Sequence, residues 1–208
     1  TGNKPRAIVA EDLDGDGHID LAVANEKSDD VSIFINKMNA NPGIDSLSAN
    51  PDPVTRPNNI TLTASGVRDA DGSVSEVEFY RDTNGDGVLD PATDEFLGSD
   101  ASSAAGWTWT ESTQGWTLGH HTFLIRALDD DGAWSSAVTA QGEVSNAVPV
   151  IDSLADTPDP VTSSADLDLA ATGVSDPDGS VSKVEFYRDA NGNGILDPTG
   201  DAFLGDGS

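Results

Sequence analysis

The chain has 208 residues, no Cys, and 37 acidic side chains against 10 basic ones, a formal net charge of −27. Such a surface repels nucleic acid and anionic membranes, and it leaves neither a disulfide framework nor a thiolate metal site. Only eight of the 37 acids are Glu and the rest are Asp, the acid that favours turns and short-reach ligation of hard cations. No apolar run is long enough for a membrane span, and membrane insertion is not expected. No leader is visible before Thr1, and the chain reads as an excised fragment.

Residues 1–38 come first and carry the sharpest chemical signal. They contain Asp12-Leu13-Asp14-Gly15-Asp16-Gly17-His18-Ile19-Asp20. Calcium takes six to eight oxygens at about 2.3–2.6 Å, and a tight loop can supply them from alternate positions. Asp12, Asp14 and Asp16 stand at positions 1, 3 and 5, and Gly17 at position 6 permits the bend. The backbone carbonyl of His18 follows at position 7, and the Asp20 carboxylate at position 9. Magnesium suits such a loop less well, because it demands a near-octahedral shell.

The segment 5–37 resembles an FG-GAP/VCBS repeat, the blade unit of integrin-type β-propellers. That resemblance is carried by Pro5-Arg6-Ala7-Ile8-Val9-Ala10, the Asp12–Asp20 loop, Leu21-Ala22-Val23-Ala24-Asn25 and Val31-Ser32-Ile33-Phe34-Ile35-Asn36. It implies calcium held by Asp12, Asp14, Asp16 and Asp20, a secreted or cell-surface setting, and a part in adhesion or ligand presentation. One blade alone cannot close a propeller.

From Pro42 onward the chain repeats itself with an offset of 107 residues and no gap. Pro51-Asp52-Pro53-Val54-Thr55 recurs as Pro158-Asp159-Pro160-Val161-Thr162, and Val77-Glu78-Phe79-Tyr80-Arg81-Asp82 recurs as Val184-Glu185-Phe186-Tyr187-Arg188-Asp189. The first unit is 42–148. The second, 149–208, matches it only as far as Ala101, so it reads as truncated. Within the first unit short β-type runs alternate with turn clusters at 44–49, 59–66, 74–81, 95–99, 106–111, 120–127 and 133–139. The run 75–81 places Val77 and Phe79 on one face and Glu76, Glu78 and Tyr80 on the other. No stretch has a helical apolar period. Seven strands in about 100 residues is the size of an immunoglobulin-like sandwich. The expected fold is therefore all-β: a β-propeller-type repeat fragment, one complete Ig-like β-sandwich and one truncated Ig-like β-sandwich.

Each unit carries a further calcium-type loop. The first has Asp82, Asn84 and Asp86 at positions 1, 3 and 5, Val88 (backbone) at 7, Asp90 at 9 and Asp94 four residues later. Its copy has Asp189, Asn191, Asn193, Ile195 (backbone), Asp197 and Asp201. Position 12, where a helix-flanked calcium loop places a bidentate Glu, holds Val23, Thr93 or Gly200. The plainer account, hairpin turns rich in Asp, Asn and Gly, suits a lone Asp-Gly better than four spaced acids.

The repeated unit is similar to bacterial Ig-like and cadherin-like modules, through Asp69-Ala70-Asp71-Gly72-Ser73-Val74, 77–82 and 126–134. Cadherins place calcium between modules with the help of an acidic linker, whereas Ser145-Asn146-Ala147-Val148-Pro149 has no acid. Asp129, Asp130 and Asp131 are candidate junction ligands or a solvated turn.

Trp107 and Trp109 share a strand face and either stack on sugar rings or pack in the core, the second being the common fate of Trp. His120 and His121 face opposite ways on a strand and cannot chelate one ion. No nucleophile elbow and no acid–base pocket is evident, so no catalytic role is expected. The sequence thus reads as a calcium-binding structural or adhesive module of a secreted or cell-surface protein, with calcium and an extracellular protein or polysaccharide as partners. A carbohydrate-binding accessory module is the alternative. General acidity of a halophilic surface is a third reading, which the clustering of the acids disfavours.

Overall fold

The structure, a computed structural model, describes residues 2–207. It is built from strands with one 3-10 turn at Ser103–Ala105, and no α-helix occurs among the described residues. Among these residues no helix is long and apolar enough to cross a membrane.

The first segment is an antiparallel three-stranded sheet of β1 (Pro5–Glu11), β2 (Asp20–Asn25) and β3 (Asp30–Phe34), in that order. Its alternation is only half satisfied. Asp20, Val23 and Asn25 are buried, while Ile8, Val9, Val31 and Ile33 remain exposed. The sheet presents an uncovered apolar face.

Residues 46–145 form a two-layer sandwich. One layer contains β4 (Ser46–Asn50), β6 (Asn59–Ser65) and β9 (Trp107–Ser112) in the order β4-β6-β9. Opposite it lie β5 (Val54–Thr55), β7 (Val74–Arg81), β8 (Glu95–Asp100), β10 (Gly119–Asp129) and β11 (Val138–Ser145), ordered β5-β11-β10-β7-β8. All pairs are antiparallel except β5 with β11, where Val54 faces Val144. Alternate residues of the two sheets, Leu47, Val54, Ile60, Leu62, Val77, Phe79, Trp107, Phe123, Ile125 and Val144, meet in one core that Trp116 joins from the β9–β10 connection. Burial of this apolar surface is the main favourable term in folding.

Two details depart from the sequence expectation. Tyr80 lies on the outer face yet is only 3% exposed, because it packs edge-on against Phe96 and its hydroxyl donates to Glu78. Glu78 also accepts from Arg126, whose guanidinium lies 3.8 Å from the Trp134 ring centre. The final strand is Val138–Ser145 rather than 133–139. Residues 129–133 are consumed by a turn closed by Asp129, whose carboxylate accepts from Asp131 and Ala133, and the Trp134 backbone joins the sheet only through an isolated bridge to Leu128.

The second repeat reproduces two pieces of the first: a ladder of β12 (Ser153–Thr157) with β13 (Asp168–Thr172), and one of β14 (Val184–Arg188) with β15 (Ala202–Gly207). Even a register irregularity recurs, between Phe79 and Tyr80 in one copy and between Phe186 and Tyr187 in the other. In residues 149–207 no apolar residue is buried, and Leu154, Leu167, Phe203 and Leu204 are exposed.

Candidate metal loops

The three Asp-rich loops close the β1–β2, β7–β8 and β14–β15 hairpins, and all three use one local design. The carboxylate at position 1 spans the loop, accepting from the N–H groups at positions 4 and 6. For Asp12 these come from Gly15 at 2.7 Å and Gly17 at 2.9 Å. Asp82 takes Gly85 and Gly87 at 2.6 and 2.9 Å, and Asp189 takes Gly192 and Gly194 at 2.6 and 2.7 Å. The side chain at position 3 then accepts from position 5, and that at position 5 from position 7. Glycines at positions 4 and 6 have positive φ in every loop, from 70° at Gly87 to 92° at Gly17. Side chains with a Cβ rarely adopt that conformation, so both glycines are required. The sequence pattern singled out only the second.

The loops differ in how they close. In the first, Asp20 is fully buried and reaches back across the ring, accepting from Leu13 N–H at 2.8 Å and from Asn36 N–H at 2.6 Å. Those donors, Asn36 first and Leu13 second, hold its pKa below the usual value against the opposing effect of burial. Ligand oxygens of Asp12, Asp14 and Asp20 all lie within 4.8 Å of one another, and no other such group of three occurs among the described residues. Asp16 stays outside that group, its Oδ1 engaged by the His18 N–H. His18 itself is half-buried. An all-oxygen set gathered this tightly fits a hard divalent cation.

In the second and third loops the residue at position 9 turns away. Asp90 Oδ1 accepts from Ala92 N–H, and Asp197 Oδ1 from Thr199 N–H and hydroxyl, each inside its own Asp-Pro turn. The Thr199 hydroxyl, followed by its N–H, lowers the Asp197 pKa. The residue four further on takes the place that Asp20 holds in the first loop. Asp201 accepts from Ala190 N–H, at position 2, and from Asp197 N–H. Asp94 accepts from Asp90 N–H at 2.8 Å and is 7% exposed, and its Oδ1 is buried without a partner. Asn84 and Asp86 are tied to each other, Asn84 Nδ2 donating to Asp86 Oδ2. The carboxylates of these two loops therefore do not form a triad. Val88 and Ile195 point outward.

The aromatic and imidazole groups are occupied with packing. Trp107 and Trp116 are buried in the core, and Trp109 lies against it beside Gly98. None of the four Trp residues is exposed. His121 Nε2 bonds the Thr117 carbonyl and its ring packs at a tilt against Trp116, while His120 faces solvent.

Residues 46–125 match the family model of a bacterial Ig domain, a span of less than half the chain. No curated protein matches. Among solved structures, the fibronectin(III)-like modules of Clostridium thermocellum CbhA align at 18% identity over 67% of this chain and 64% of theirs, with a TM-score of 0.38. BC0361, a polysaccharide deacetylase from Bacillus cereus, aligns at 11% identity over 54% of this chain and 31% of its own, with a TM-score of 0.35. The chain thus spans less than two thirds of either structure, and likenesses at these TM-scores carry no functional argument. The bacterial Ig match and the observed sandwich agree on an all-β, Ig-like module at 46–125.

Proposed function

We propose that this chain is a calcium-stabilised structural module of an exported bacterial protein, with no catalytic role of its own. The observation that carries the reading is the convergence of Asp12, Asp14 and Asp20 on one centre, with Asp20 buried in full. Three carboxylates held that close repel one another, most strongly at the buried Asp20. A divalent cation relieves the repulsion and binds the folded loop far better than the unfolded chain, so its binding free energy becomes folding free energy. The Asp82 and Asp189 loops are weaker sites of the same kind, since Asn replaces one acid in the former and two in the latter. The match to bacterial Ig domains supports an extracellular setting, where such modules form stalks and spacers and calcium is millimolar.

The test is calorimetric. Calcium at about a hundred times its dissociation constant adds about 2.7 kcal/mol to a folded state that alone binds it. Melting of residues 1–38 should move upward in millimolar calcium and return on chelation. Asp12→Ala with Asp14→Ala should abolish the shift, and Asp16→Ala should only weaken it. A folded chain whose melting curve ignores calcium refutes the proposal.

A further inference from the structure

The junction between the two repeats contains an ion pair that the repeat pattern does not account for. Arg56 follows β5 at one pole of the first sandwich. Its Nε donates to Asp178 Oδ2 of the second repeat at 2.8 Å, and a terminal guanidinium nitrogen donates to the Trp116 carbonyl at 2.6 Å. The Arg56 side chain is 20% exposed and that of Asp178 only 2%. Around them a cleft of about 260 Å³ is lined by Arg56, Pro57 and Gly115 on one side and Pro177, Asp178 and Gly179 on the other.

Internal comparison separates what belongs to the repeat from what belongs to this junction. At the first junction the linker N–H of Ala40 donates to both oxygens of Asp71, at 3.2 and 3.1 Å. At the second, the matching linker residue is Ala147 and the counterpart of Asp71 is Asp178. The Asp-x-Asp-Gly loop is therefore common to both copies. The guanidinium is not: the repeat offset places Ser163 at the position of Arg56, and no basic group pairs with Asp71 among the described contacts.

We propose that Arg56 is a docking residue whose guanidinium latches the Asp178 loop of the following module and fixes the angle between the two. Its fork is braced by the Trp116 carbonyl, so it arrives pre-positioned, and a planar charged donor is costly to replace at such a site. Asp178 is correspondingly costly to leave alone, because a buried carboxylate without its partner keeps its desolvation penalty. Asp176 is the other acid at this point, bonded to Asp178 by the latter's N–H at 3.3 Å. Module orientation at this junction is thereby set by a protein cation, independently of the calcium loops.

The chain has no Cys, so a spin-label pair can be placed cleanly. Thr139→Cys and Ser182→Cys, both at exposed positions in different repeats, report the inter-module distance by pulsed electron resonance in the full chain. The expected result is one narrow distance distribution that chelation of calcium leaves intact. Arg56→Ala should lose the narrow component, and Asp178→Asn, which leaves the first sandwich and its Trp116 contact untouched, should reduce it. A distribution that stays narrow in Arg56→Ala overturns the proposal. So does broadening in Arg56→Ala without any in Asp178→Asn, which would place the effect inside the first module. Broadening on chelation alone assigns the rigidity to calcium instead.

Discussion

Trp107 decides between two roles for the aromatic residues, and its burial sets the size of the effect. It is 9% exposed at the start of β9, opposite Ala64 and facing the core. A Trp side chain buries roughly 150–250 Å², and at about 25 cal/mol per Å² nine tenths of that corresponds to about 3–6 kcal/mol. Large-to-small substitutions of this type cost about 3–5 kcal/mol once the cavity is included. Against a module stability of about 5–15 kcal/mol the loss is severe. With a urea slope near 2 kcal/mol per molar, Trp107→Ala should lower the unfolding midpoint by roughly 2 M. Far-UV circular dichroism is the appropriate probe, since fluorescence would change with the Trp itself. Trp107→Phe should recover most of the loss. Were Trp107→Ala to leave the midpoint in place while abolishing retention on insoluble polysaccharide, the core assignment would be wrong and the carbohydrate-binding alternative would stand.

Gly98→Ala should destabilise the same sandwich, because an added Cβ would overlap the six-membered ring of Trp109 with no flexible group to yield; the urea midpoint checks it. Gly87→Ala and Gly17→Ala should each cost stability and calcium affinity together, because both sites need positive φ, and isothermal titration beside thermal melting reads both. The junction should respond to pH in a defined sense. Arg56 holds the Asp178 pKa below the usual carboxylate value of 3.8, so the contact contributes fully above that value. It is lost as pH falls through the depressed folded-state pKa. The distance distribution should therefore stay narrow at neutral pH and broaden only in strong acid.

The sandwich was legible wherever apolar alternation carried the signal. Val74–Arg81 appears in the structure with the bounds read from the sequence, because Val77 and Phe79 alternate with charged neighbours and one face must be buried. The last strand lies beyond the span its composition suggests, since Ala140, Gln141 and Gly142 have weak β preference. Their pairing with Phe123, Thr122 and His121 is dictated by the partner strand. Parity places Tyr80 on the face of Glu76 and Glu78, which gives its direction but not its burial. Parity cannot reveal that Phe96 and Arg126 close over the ring. Arg56 had a faint signal: the matched Pro-Asp-Pro-Val-Thr segments diverge at the very next residue, Arg56 against Ser163. A departure from an otherwise close repeat marks a place where the two copies have different neighbours.

The loops show why ligand spacing alone does not rank candidate sites. All three have oxygen-bearing side chains at positions 1, 3 and 5 and a carboxylate at position 9, yet position 9 behaves in two ways. Where β2 begins at Asp20, the strand holds that side chain buried beneath the loop, with Oδ2 accepting from Leu13 N–H of the loop and Oδ1 from Asn36 N–H beyond β3. Where a Pro follows, at Pro91 and Pro198, the chain turns instead, and Asp90 and Asp197 fold onto the N–H groups two residues ahead. The closing role then passes to Asp94 and Asp201, which are tied to their loops through backbone N–H groups. A loop closed by a strand keeps its ninth carboxylate aimed at the centre, and a loop closed by an Asp-Pro turn spends it on the turn. The residue after position 9, Leu21 in one case and Pro in the others, is therefore the sequence feature that separates the gathered triad from its two looser relatives.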